Sequence, residues 1–343
     1  MVDVFIFVAI LISFFVTLFM MPFWIRKMHD LGALWEDMNK YGHPKNVASS
    51  GGLIVILAFI IGVSVYIGAS VLIFGLEEKN IVNIFAIISV ILILTLIGLI
   101  DDMFGWKIDS MKDKSKPRQG LSRRMRLILA AFAAIPLMVI NAGNSTLSLP
   151  FFGEISFGLI YPLVLIPIAI MGASSTFNFL AGFNGLEAGL GVILLSFISF
   201  VAYQTGNAYL TVVGLIMVSS LIAFYVYNRT PAKAFPGNSL LWSVGGLVAC
   251  MCILGNFEKI ALIAFIPYIL ETILKLRGKL EMQSFGKPDK NNELDLLYPK
   301  LYGLTHVSIW ILRKVQIKAT ENRVVYLIWA FQVICIILAY FAM

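Results

Sequence analysis

Long runs of apolar residues alternate with short polar segments along nearly the whole chain. The runs cover approximately residues 2–22, 51–75, 81–100, 125–141, 157–177, 186–204, 208–228, 238–254, 259–275 and 324–342. A helix of roughly 20 apolar residues crosses the hydrocarbon of a bilayer and satisfies its own backbone there. The pattern therefore predicts an all-α polytopic membrane protein of about ten transmembrane helices, forming a single domain over 1–343. The runs at 125–141 and 238–254 are short, and Gly245 and Gly246 fall in the second, so either is a candidate for a broken or tilted helix. The run at 2–22 lacks a small-residue cleavage pattern and reads as a retained helix. The longest loop, 276–323, is polar to Asn292. Leu301, Leu304, Val307, Ile311 and Leu312 then predict an amphipathic helix lying in the interface.

Composition agrees with the pattern. Hydrophobic residues make up 59% of the chain and charged residues 13%, and the mean hydropathy is +0.90, which excludes an ordinary soluble domain. Of the 26 Lys and Arg, all but Lys79 and Lys259 fall in or beside 23–50, 101–124, 178–185, 229–237 and 276–323. By the positive-inside rule these five segments are cytoplasmic and both termini lie outside. The net charge of +7 is mostly this topogenic excess, with attraction of anionic headgroups or nucleotide phosphates as the functional alternative. Nothing supports a nucleic-acid partner. Cys250, Cys252 and Cys335 all fall within apolar runs and imply no disulfide framework.

Four polar clusters remain, all on the side assigned to the cytoplasm. Asp101 and Asp102 close the run that ends at Ile100. A carboxylate pair at a membrane boundary needs a cation, a donor or water, and it suits a divalent ion that also takes substrate phosphates. One of the pair could also accept a proton from an attacking phosphate. A solvated helix end is the plain alternative. The segment from Asn178 to Gly189 carries Gly182, Gly185 and Gly189 for close backbone approach. In it, Asn178 offers an amide oxygen to a metal and Asn184 can bond a base or sugar. An Asn-Gly turn alone would not need the whole string. Pro236-Gly237-Asn238 is a turn that could complete a metal or diphosphate site, or simply a loop. Arg123, Arg124 and Arg126 are either snorkelling anchors or a phosphate clamp. A transporter would concentrate polar groups near the bilayer midplane. Their gathering at one face favours an enzyme acting on a cytosolic substrate, with a transporter or flippase for lipid-linked or nucleotide sugars as the alternative.

These strings together resemble the polyprenyl-phosphate N-acetylhexosamine-1-phosphate transferase superfamily. The likeness is to its archaeal and eukaryotic UDP-GlcNAc–dolichyl-phosphate branch and covers nearly the whole chain. It rests above all on Asn178 to Gly189, with Trp35 to Lys40 and Gly278 to Met282 in support. The resemblance implies transfer of GlcNAc 1-phosphate from UDP-GlcNAc to a polyprenyl (dolichyl) phosphate, with release of UMP, as the first membrane step of N-glycan-type assembly. Mg²⁺ is the implied cofactor, with Mn²⁺ as the alternative. The lipid bilayer is a further partner and a homodimer a candidate assembly. The implied place is the plasma membrane of a prokaryote, most plausibly an archaeon, with the catalytic face cytoplasmic. By matching position, Asp101 would activate or position the lipid phosphate and Asp102 support it, with Arg126 in the place of a family Lys. Asn178 and Asn238 would hold the metal. Glu36, Asp37, Met38, Asn184 and Glu187 would meet the nucleotide sugar, with Lys275, Arg277 and Lys279 as candidates for its phosphate clamp. Arg126, Met171, Ser175, Thr176, Asn178 and Phe179 would face the lipid phosphate. Two departures stand out. Asn238 occupies a place usually held by Asp, and an amide oxygen binds Mg²⁺ more weakly than a carboxylate. Arg126 keeps the charge of the Lys but does not titrate.

Overall fold

In hydrocarbon every backbone polar group must be paired within the chain, and each long apolar run here meets that demand as a helix. The computed structural model describes residues 2–75, 77–110, 120–149 and 153–343. Lys112, Lys114, Lys116 and Arg118, which contribute to the charge asymmetry, lie outside the described residues. The helices are α1 (Val2–Asp30), α2 (Gly52–Ala69), α3 (Glu78–Ser110), α4 (Arg123–Phe132), α5 (Ile135–Val139), α6 (Ile166–Phe179), α7 (Leu186–Gln204), α8 (Ala208–Asn228), α9 (Gly237–Gly255), α10 (Glu258–Ala264), α11 (Ile266–Arg277), α12 (Leu304–Lys314) and α13 (Glu321–Phe341). π-Helical turns extend α2 over Ser70–Phe74 and precede α6 over Tyr161–Leu165. Among the described residues, eight helices are long and apolar enough to cross a membrane: α1, α2, α3, α6, α7, α8, α9 and α13.

The remaining two apolar runs are not continuous helices. The run at 125–141 is α4 and α5, and that at 259–275 is α10 and α11. Both breaks have the same cause. Pro136 and Pro267 lack an amide donor and crowd the carbonyl four residues earlier, so the helix stops and restarts with proline in its first turn. Gly245 and Gly246, which made this run a candidate for a break or tilt, do not break α9 and are used for packing. A Cβ on Gly245 would lie 2.5 Å from the carbonyl oxygen of Ala173 on α6, and one on Gly246 would collide with the Leu94 side chain on α3.

The helix α9 is the centre of the bundle. Every residue from Ser239 to Ile253 is buried, and α2, α3, α6, α7 and α8 all pack on it. A helix apolar on every face belongs in such an interior. Its N-terminus is stitched to the rest by backbone. Strands β1 (Leu34–Glu36) and β2 (Lys45–Ala48) pair antiparallel, and Ala48 bridges Ala234 just before α9. The amide of Phe235 donates to Ala48 O at 2.8 Å, and that of Gly52 to Pro236 O at 2.9 Å. At Gly98 the backbone of α3 abuts the first turn of α9, where a Cβ would lie 2.5 Å from the carbonyl carbon of Asn238. Two further antiparallel pairs, β3 (Thr146–Leu149) with β4 (Gly153–Ser156) and β5 (Lys287–Pro288) with β6 (Leu294–Asp295), complete the elements.

The amphipathic segment expected in the long loop is α12, whose Leu304, Ile309 and Leu312 are buried. It packs on α11 and α13. Through it the loop is fixed over the mouth of the bundle. Thr305 Oγ1 donates to Ser284 O at 2.6 Å, and His306 Nε2 lies 3.1 Å from Phe285 O while His306 Nδ1 accepts from the Tyr302 amide at 3.3 Å. That pairing assigns a neutral ring with the proton on Nε2. Burial lowers the His306 pKa below its ordinary value, opposed by the bond to Phe285.

Two expectations follow. Gly98→Ala overpacks the α3–α9 contact and costs about 1–3 kcal/mol, seen as a lower melting temperature in detergent, whereas Gly68→Ala, with nothing within 4 Å of its Cβ, leaves that temperature unlowered. A depressed His306 pKa means that the unfolded chain takes up a proton first as pH falls. The stabilisation is therefore complete above about pH 6.5 and is lost as pH falls below it. His306→Gln should flatten this acid-side fall in melting temperature.

Candidate active site

Asp101 and Asp102 are 5% and 4% exposed. The helix does not end beside them but runs on to Ser110, so both carboxylates must find partners inside the protein. Asp101 is fully engaged. Its Oδ1 accepts from the Leu121 amide at 2.6 Å, and its Oδ2 from Asn238 Nδ2 at 2.9 Å and from Arg126 Nη1 at 3.2 Å. Asp102 accepts from Ser50 Oγ at 2.7 Å on Oδ2 and from the Asn238 amide at 3.0 Å on Oδ1. The second bond depends on glycine. Gly237 has φ +70°, and a Cβ there would lie 2.5 Å from Asp102 Oδ2 and 2.8 Å from Ser50 Cα.

The two aspartates open on different spaces. Asp102 lines a pocket of about 410 Å³ together with Glu36, Asp37, Met38, Asn178, Glu187, Asn238 and Lys275. Its far wall is the loop residues Ser284 and Phe285, with Trp35 and Phe179 as aromatic faces. Asp101 instead faces a cleft of about 370 Å³ with Ser122, Arg123 and Arg126. A second pocket, of about 220 Å³, is lined by Arg123, Arg126, Ser175, Asn178, Phe179, Trp242 and Lys275. Asn178, Phe179 and Lys275 are thus common to the wall of both pockets. The Lys275 ammonium is held by Ser284 Oγ, by Met282 O at 3.4 Å, and by the buried Glu271 carboxylate at 3.9 Å.

The loop 178–189 owes its shape to buried polar bonds. Gly182, at φ +112°, donates to Glu187 Oε1 at 2.6 Å and accepts from Asn39 Nδ2 at 2.8 Å. Asn184 lies behind the pocket wall, where its Nδ2 donates to Asp37 Oδ2 at 2.8 Å and its amide to Glu321 Oε1 at 2.9 Å. Glu321, the first residue of α13 and 3% exposed, also takes Lys40 Nζ at 2.6 Å and Thr230 Oγ1 at 3.3 Å. It joins four segments of the chain at the back of the pocket.

Several expected residues are placed elsewhere. Arg277 and Lys279 are exposed and line neither pocket, and Lys279 takes part through its carbonyl, which accepts from Arg123 Nη1 at 3.1 Å. Arg277 is the last residue of α11 and Lys279 lies just beyond it, where the chain turns away through left-handed Lys279 and Leu280. Thr176 faces an apolar groove of about 350 Å³ between α6, α9 and α10, and Met171 lines none of these spaces. Reasoning from sequence did not single out Ser50, Trp242, Ser284 or Glu321. Glu321 had a signal, a carboxylate at the edge of an apolar run, like Asp101. The others had none.

The donor set fits a hard divalent ion. Asp102 supplies a carboxylate, and Asn178 and Asn238 line the same pocket with amide oxygens. Among the described residues there is no cluster of three or more His, Cys, Asp or Glu. Mg²⁺ needs none, since it commonly binds through one or two carboxylates and completes its shell with water and phosphate.

The profile of glycosyl transferase family 4 matches residues 84–256. A protein of Saccharolobus solfataricus with the provisional name UDP-N-acetylglucosamine–dolichyl-phosphate N-acetylglucosaminephosphotransferase is 32% identical over 332 residues, 96% of this chain and 94% of its own length. A Sulfolobus acidocaldarius protein with the same provisional name is 29% identical over 96% of this chain and 94% of its own. The phospho-N-acetylmuramoyl-pentapeptide-transferase of Enterococcus faecalis is 28% identical over 82% of this chain and 85% of its own. The match begins in α3 and ends just beyond α9, so it contains Asp101, Asp102, Arg126, Asn178 and Asn238, and the chain belongs to glycosyl transferase family 4.

Proposed function

We propose that this protein transfers N-acetylglucosamine 1-phosphate from UDP-N-acetylglucosamine to a dolichyl-type polyprenyl phosphate, giving lipid-diphosphate N-acetylglucosamine and UMP. The observation that carries the reading is the shared wall of Asn178, Phe179 and Lys275. It separates a larger pocket with aromatic and acidic faces from a smaller one rich in cations. A nucleotide sugar suits the first and a phosphate monoester the second. The archaeal relatives, which match end to end and whose names state this reaction, support the same assignment.

An oxygen of the acceptor phosphate attacks the phosphorus that bears the sugar. The bond from that phosphorus to the bridging oxygen breaks, and the oxygen leaves with UMP. The sugar C1–O bond is untouched, so the anomeric configuration is retained. Phosphoryl transfer of this kind relies on positioning and charge stabilisation more than on covalent help from the protein. Lys275, between the pockets, stabilises charge on both phosphate groups. Arg126, held by Asp101 at 3.2 Å, presents its remaining donors to the acceptor phosphate. Asp102, on the wall of the larger pocket, faces the donor diphosphate, and the acceptor phosphate attacks as its dianion. Glu36, Asp37 and Met38 meet the nucleoside, backed by Asn184. Mg²⁺, or Mn²⁺ in its place, would be held by Asp102, Asn178 and Asn238 and would neutralise the donor diphosphate. The charge asymmetry supports a cytoplasmic orientation for these pockets, the side on which a nucleotide sugar is available.

Purified protein in detergent should release UMP only when UDP-N-acetylglucosamine, dolichyl phosphate and Mg²⁺ are all present. Asp102→Asn, close to isosteric, should keep the melting temperature within a few degrees and lower kcat roughly 10²–10³-fold, the loss typical of one preorganised catalytic group. Undiminished turnover in that variant would remove Asp102 from the mechanism.

A further inference from the structure

The second pocket presents an unusual set of donors. Its cations already have partners. Arg126 is paired with Asp101, Arg123 donates to the carbonyls of Lys279 and Leu280 at 3.1 and 2.9 Å, and Lys275 is bonded to Ser284 and Met282. Two neutral donors in the same wall have none. Trp242 is 3% exposed and Ser175 is 7% exposed, and neither Trp242 Nε1 nor Ser175 Oγ has a hydrogen-bond partner. An unpaired polar group buried in a membrane protein is costly. Other unpartnered buried atoms exist among the described residues, such as Thr17 Oγ1, Ser199 Oγ and Tyr268 Oη. None of those residues lines the pockets described above, whereas Trp242 and Ser175 line the same one.

The two donors reach the same pocket from different helices. Ser175 is on α6 and Trp242 on α9. The two helices touch at Gly245, where a Cβ would lie 2.5 Å from Ala173 O and 2.7 Å from Ser174 Cα. A larger residue there would separate the donors. The indole N–H can only donate, so its partner must be an acceptor. The surrounding three cations make an anionic acceptor the fitting one, and phosphate oxygens accept several bonds at once.

We infer that the Trp242 indole N–H and the Ser175 hydroxyl donate to the phosphate held in the second pocket, and that this phosphate is the acceptor's. The inference rests on the reaction assigned above for the identity of the acceptor, but not for the presence of a phosphate site. The pocket's Leu127, Phe179 and Leu280 favour a phosphate carried on an apolar chain over the nucleotide diphosphate, which shares the same chemistry. Trp242 and Ser175 are then binding residues that distinguish a polyprenyl phosphate from the free alcohol.

Calorimetric titration of the full-length protein with farnesyl phosphate, farnesol and UMP tests this without turnover. Wild type should bind farnesyl phosphate more tightly than farnesol. Trp242→Phe and Ser175→Ala should each weaken farnesyl phosphate roughly tenfold, the scale of one hydrogen bond to a charged group, and leave farnesol and UMP unchanged. Ser175→Ala removes a single oxygen and keeps the test open if Trp242→Phe does not fold. Equal weakening of farnesyl phosphate and farnesol would reduce both residues to packing and overturn the inference, as would unchanged binding. A loss confined to UMP would assign the pocket to the nucleotide and overturn it too. The expected loss in a protein that releases no UMP would sustain the phosphate site and refute the transferase reading instead.

Discussion

Two carboxylates buried near the end of a membrane helix impose the constraint from which the site is built. Asp101 and Asp102 are almost wholly buried, so the protein must supply donors to both, and the donors come from distant parts of the chain: Ser50, Leu121, Arg126 and Asn238. Satisfying that demand fixes the start of α9 against α3. Gly98 and Gly237 permit the close approach. The amide at 238 is well chosen for this place. A carboxylate there would stand 2.9 Å from another carboxylate without a proton or cation between them, whereas the Asn238 side chain donates to Asp101. The amide at this position thus gives up a charge and makes a direct hydrogen bond in exchange.

The division of labour between the aspartates follows from the same bonds. Asp101 spends its oxygens on Leu121, Asn238 and Arg126, and so acts as an anchor for α4 and for the turn before α9. Asp102 keeps a face on the larger pocket. From the sequence Asp101 was expected against the lipid phosphate with Asp102 in support, and Asp101 does face a cleft with Arg123 and Arg126. Adjacent residues on a helix point about 100° apart, and here Asp102 lines the larger pocket while Asp101 lines the neighbouring cleft. Which of them faces which space depends on the rotation of α3 against α9, and hydropathy carries no information about that rotation.

Much of the fold was legible because membrane helices must satisfy their own backbones and therefore write long apolar runs into the sequence. Eight runs became continuous helices, and Pro136 and Pro267 marked where two others break. Of the two candidates for a break, the run at 125–141 is broken, while Gly245 serves packing, as glycine in a membrane helix does as readily as a kink. At the site, short strings rich in Asn, Gly and Asp announced Asp102, Asn178 and Asn238. Glu321 and Ser50 act across separations of 137 and 52 residues, and no local pattern announces such partners. Trp242 was read as one more apolar residue of a span. Its N–H gains meaning only when the pocket beside it is seen.

The central claim is that the group transferred is a sugar phosphate, not a sugar. UDP-N-acetylglucosamine carrying ³²P in its β-phosphate tests it directly. With dolichyl phosphate as acceptor, the account requires the label to pass into the chloroform-soluble lipid while the released nucleotide is unlabelled UMP. Label remaining in the aqueous phase as UDP, with sugar alone in the lipid, would contradict it.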